Sequence, residues 1–106
     1  MKRAEEARIR RIESMEELLN ECGKALSDYE AATDRFEAAQ ARISALSDYY
    51  GSGDWHDDRE ADEQGLLPQT LERGVLSEDL AYDVITGNRD MAIRLLEIAA
   101  RILKRM

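Results

Sequence analysis

The sequence predicts an all-α fold: a long N-terminal helix, two short middle helices and a C-terminal helix buried at the centre of the core. Three observations predict it. Ala, Glu, Arg and Leu are abundant and Pro occurs once, a composition of helix formers. Apolar residues recur every three or four positions across residues 12–50, the period of one helix face. The only Trp, His and Pro, with most of the glycines, gather between Tyr49 and Asp83, where a helical chain would turn. A length of 106 residues is that of one domain, 1–106, with material for one modest core.

The first helix is predicted over residues 3–50. Its apolar seam runs through Ile12, Met15, Leu19, Cys22, Leu26, Tyr29, Phe36, Ile43 and Tyr50. Thr33, Gln40 and Ser47 are the polar lapses in a heptad pattern of the coiled-coil type. Unbroken, such a helix is ~70 Å long, more than so small a chain can cover, so part of the seam needs a partner. Gly23 is the weak point, costing ~1 kcal/mol against Ala. The pattern resumes in phase at Leu26, so the helix reads as continuous; a break there would give a compact three-helix arrangement.

Gly51 suits a left-handed residue just past a helix end. Asp54, with Asp57 three residues on, suits the cap of a helix over 54–64, and Gly65 its end. Leu66-Leu67-Pro68 reads as extended, and the turn after it closes at Gly74. Ser77 then caps a helix over 77–86, with Glu78 and Asp79 in its first turn and Gly87 as its stop. Asn88 caps the last helix, 89–105. Asp90, Arg94, Glu97, Arg101 and Lys104 form a narrow polar stripe on it. A helix with so little polar face is expected to be covered on two sides.

The net charge of −8 is uneven: residues 1–12 carry +3, residues 89–106 carry +3, and 13–88 therefore −14. The acidic middle would repel phosphates, which argues against direct nucleic-acid binding. No apolar run is long enough for a membrane span, and the N-terminus lacks the apolar core of a secretory signal. A single cysteine, Cys22, makes no internal disulfide and suits a reducing, cytoplasmic setting.

Several stretches resemble a known family. They are Tyr49-Tyr50-Gly51-Ser52, Asp54-Trp55, Glu60-Ala61-Asp62-Glu63 with Gly65, and Leu67-Pro68. Arg73-Gly74-Val75-Leu76-Ser77-Glu78-Asp79, and Asn88-Arg89 followed by Ala92-Ile93-Arg94-Leu95-Leu96-Glu97, complete the set. Together they resemble domain-of-unknown-function family 4298. The resemblance covers nearly the whole chain and is most specific in the GVLSED segment. It implies a small helical bacterial protein, and carries no activity, cofactor or catalytic residue to transfer.

The chemistry-bearing clusters have plainer readings. Asp54, Asp58 and Asp62 lie four apart and share a helix face; such carboxylates could hold a divalent cation, but no EF-hand spacing is present. Helix-start charges and a solvated face explain them better, so no metal and no cofactor is expected. His56 has no sequence neighbour that would complete a catalytic set, and no catalytic residue is assigned. Gly51-Ser52-Gly53 lacks the Lys and strand of a phosphate loop. Tyr49, Tyr50 and Trp55 read as a small satellite core seating the middle stretch on the long helix. Their other reading is an interaction hot spot, with Asp57, Asp58, Glu60, Asp62 and Glu63 around it as candidate partner-binding residues.

These readings lead to one expectation: a non-enzymatic protein-interaction module that forms a homodimer. The basic first turns oppose their own helix dipole. An antiparallel pairing of long helices would set them against a partner's acidic middle. The alternative is an acidic nucleic-acid mimic, of the kind a mobile-element inhibitor would be, occupying a basic site on a host protein.

Overall fold

The computed structural model describes residues 2–106. Among them are three α-helices, α1 (Lys2–Tyr50), α2 (Gly53–Glu63) and α3 (Glu78–Arg105), with one turn of 3-10 helix at Gly74–Leu76. No strand occurs among the described residues, as an all-α fold requires. The chain falls into two units that divide within α1, one up to Ala39 and the other Gln40–Met106.

Helix α1 is continuous through Gly23. No neighbouring atom lies within 4 Å of where a Cβ on Gly23 would stand, so the glycine makes no close approach. Through residue 32 every described residue is exposed, including Ile9, Ile12, Met15, Leu18, Leu19, Leu26 and Tyr29.

The second unit is built around a sharp corner. The Ser52 hydroxyl donates to the Tyr49 carbonyl at 2.6 Å, closing α1, and accepts from the Trp55 amide, opening α2. Ser52 is therefore the cap of α2, where the sequence pointed to Asp54; its extended backbone satisfies the cap requirement two residues earlier. Gly51 keeps a negative φ, contrary to expectation, and its amide still bonds the Ser47 carbonyl. Gly65 is the left-handed residue, with φ 71°. It ends α2 in a Schellman motif: the Gly65 amide bonds Asp62 O and the Leu66 amide bonds Ala61 O, both at 3.0 Å.

The larger correction concerns the C-terminal half. The helices expected at 77–86 and 89–105 are one helix, α3, which begins after Ser77 and passes through Gly87. Gly87 costs a helix only ~1 kcal/mol, and the long apolar face on both sides carries the helix across. Ser77 is the cap residue as expected, but through its backbone, without a side-chain bond. Nor is the C-terminal helix buried: Leu96 and Leu103 are each 71% exposed, and Ala81 is the buried residue of α3. The apolar arc is as broad as the sequence suggested, but this chain does not cover it.

Within the second unit, α1 and α3 are tied at two points. Tyr50 Oη donates to the Glu78 carbonyl at 3.3 Å. Gln40 and Asn88 exchange both amide hydrogen bonds, Gln40 Nε2 to Asn88 Oδ1 at 3.0 Å and Asn88 Nδ2 to Gln40 Oε1 at 3.1 Å. Ten residues back along α1 match ten residues forward along α3, so the two segments run antiparallel. Asn88, expected as a helix cap, is instead half of this register-setting pair.

Candidate functional site

The side chains with most tertiary bonding gather around Trp55. Its position follows from the Ser52 cap, which sets the first turn of α2 and drives the indole inward. Trp55 is 4% exposed, and among the described residues Leu76 and Ala81 are the others that are buried. The Trp55 Nε1 hydrogen is donated to the Val75 carbonyl at 2.9 Å, which meets the need of a buried indole for an acceptor.

Aromatic and cationic groups pack on that ring. Tyr50 meets it edge-on at 5.0 Å between centroids, and His56 at 5.2 Å. The Arg59 guanidinium carbon stands 5.4 Å from the ring centroid, within cation–π range. Arg59 also pairs with Glu63 at 3.2 Å and, through Nη1, with Glu78 of α3 at 2.7 Å. The bond to Glu63 is the main cause that raises its already high pKa. Arg73, just before the 3-10 turn, pairs with Asp62 at 2.7 Å.

Tyr49 lies one residue from Tyr50 but donates its hydroxyl to Asp58 Oδ2 at 2.6 Å. That bond, aided by partial burial and by the charges of Asp58 and Asp54, pushes the Tyr49 pKa up to about 12. The hydroxyl hydrogen is held against a carboxylate, so losing it would leave two negative charges in contact.

The eight residues singled out in the sequence thus occupy different places. Trp55 is the core of the cluster, the satellite-core arrangement, and its ring is not available to a partner. Tyr49 and Tyr50 are half-buried, Asp62 is half-buried on Arg73, and Asp57, Asp58, Glu60 and Glu63 are exposed. Of these, Asp58 and Glu63 are bonded to Tyr49 and Arg59, and Glu60 accepts from Gln64 at 3.3 Å. Among the described residues, no three His, Cys, Asp or Glu side chains are grouped to hold a metal ion. The arrangement ties α2, the 3-10 turn and the start of α3 together through complementary charges. Two residues that sequence reasoning passed over, Arg59 and Arg73, supply the cations. Their spacing from Glu63 (four on) and Asp62 (eleven back) offered a signal only for the first pair.

The other surface of note is apolar. Ile12, Met15, Leu19, Leu26 and Tyr29 of α1 are between 51% and 68% exposed, and Cys22 beside them is exposed. On α3, Leu80, Tyr82, Val84, Ile93, Leu96 and Leu103 are open as well. No helix among the described residues is long and apolar enough to cross a membrane.

No curated protein and no solved structure matches the chain. A family model described as "Domain of unknown function (DUF4298)" matches residues 12–98, the greater part of the sequence, and the protein belongs to that family.

Proposed function

We propose that the protein is a non-enzymatic helical interaction module that associates with a second copy of itself. The carrying observation is its surface. The chain exposes 9394 Å², whereas a folded chain of 12.1 kDa ordinarily exposes about 6,000 Å². The surplus, roughly 3,000 Å², far exceeds the ~800 Å² that each partner contributes to a standard interface. Exposed apolar side chains stand in line along α1 and α3, and single exposed apolar residues are common but whole exposed seams are not. The polar groups around Trp55 support the non-enzymatic reading: they are engaged with one another as structural ties. The exposed Cys22 suits a reducing, cytoplasmic compartment.

Sedimentation equilibrium across micromolar concentrations tests the proposal. A dimeric mass is expected, and a monomer throughout would sink it. The acidic-mimic reading keeps one observation in its favour, the exposed Asp54, Asp57, Asp58, Glu60 and Glu63 on the single short helix α2. Capture of a basic protein that salt abolishes would favour it; salt-insensitive self-association favours the apolar interface.

A further inference from the structure

We infer that the second copy binds antiparallel along the N-terminal part of α1, with the two-fold axis between Leu19 and Cys22. This rests on the self-association proposed above and specifies its geometry.

Helix α1 has 49 residues and α3 has 28, or about 73 Å against 42 Å. Through residue 32 every described residue of the longer helix, α1, is exposed. The exposed seam Ile12, Met15, Leu19, Cys22, Leu26, Tyr29 keeps steps of three, four, three, four and three, the knob spacing of a coiled coil.

In antiparallel register Ile12 lies opposite Tyr29 of the second copy, Met15 opposite Leu26, and Leu19 opposite Cys22. All six positions are filled, each layer pairing a larger with a smaller or more slender side chain. Alongside, exposed Leu18 falls opposite Ala25 and Glu16 opposite Gly23, so neither flank brings like charges face to face.

Continued toward the N-terminus, the same spacing places Glu5 and Arg8 on the seam. Parallel pairing in register would stack Glu5 on Glu5 and Arg8 on Arg8, and would set +3 over residues 2–11 against +3. Antiparallel pairing brings Arg8, Arg10 and Arg11 alongside Glu30 and Asp34 of the second copy. Residues 13–30 carry −5, so the basic end of each helix meets an acidic stretch of the other. This relieves the unfavourable placement of cations at the start of α1.

The experiment is dipolar spectroscopy on spin-labelled full-length chain in a Cys22→Ala background, which keeps that seam position apolar, with the mass of the wild-type chain and of each labelled chain measured beside it. Labels at Ala7→Cys, away from the seam, are expected about 40 Å apart along the axis, and at Arg3→Cys about 12 Å farther still, from the helical rise alone. Parallel pairing would hold both pairs at one short separation set by the distance between helix axes. Equal short distances at the two sites overturn the inference and leave self-association standing. A dimeric mass with distances that do not lengthen from residue 7 to residue 3 also overturns it. A monomeric wild-type chain overturns both this inference and the proposal beneath it.

Discussion

The indole of Trp55 does three things at once: it fills the core of the second unit, donates to Val75 and carries the Arg59 guanidinium. Trp55→Ala should therefore cost about 3–5 kcal/mol, read as a fall in the urea midpoint by circular dichroism. Trp55→Phe keeps a ring but leaves the Val75 carbonyl without its donor, at about 1 kcal/mol beyond the smaller loss of volume. Tyr49 offers a pH test. Its pKa is raised to about 12 by the Asp58 carboxylate, above the ordinary value near 10. The stability it contributes is fully present below pH ~10 and is lost as pH rises toward 12. Asp58→Asn should return tyrosinate formation at Tyr49 toward the ordinary range, seen by ultraviolet absorbance; an unchanged titration would refute the contact. The Tyr50–Trp55 contact was legible in the sequence because the two residues are near neighbours, whereas Tyr49 turns to Asp58 instead. The Val75 acceptor was not, since it lies twenty residues away and is a backbone atom whose direction depends on the 3-10 turn.

At the scale of elements, the helix continuities separate what a sequence reveals from what it hides. The long reach of α1 was legible, because its seam resumes in phase after Gly23. The single span of α3 was not, because Gly87-Asn88 has the local character of a stop followed by a cap. The amide of Asn88 is instead spent on Gln40, 48 residues away, and no local rule foresees that pairing. One signal was available: Gln40 is a polar lapse within an apolar seam, the kind of position that fixes register. Removing one partner, by Gln40→Ala or Asn88→Ala, should cost about 1–3 kcal/mol by stranding a part-buried amide. The double substitution to Leu should recover most of that and weaken the register between α1 and α3. A double-mutant cycle in thermal melts with a coupling near zero would contradict this. Gly87→Ala should stabilise the chain by about 1 kcal/mol, since a Cβ there meets nothing within 4 Å. A lower melting point would show that the glycine has a role the helix geometry does not reveal.

For the whole molecule, the fold class and the seam were legible because they depend on period and composition, which local sequence carries. What was not legible is how little the chain buries. A narrow polar stripe on the C-terminal helix points to cover by the rest of the chain, yet among the described residues Trp55, Leu76 and Ala81 alone are buried hydrophobic residues. Periodicity shows that a face is apolar and is silent on which molecule covers it. The consequence of so small a core is a matter of mass action. Where the folded form gains much of its stability from a second copy, dilution acts as a denaturant, and folding free energy cannot be separated from protomer concentration. The melting temperature should climb steadily as concentration is raised, and a value that stays constant over a hundredfold range would mean that each chain is stable alone.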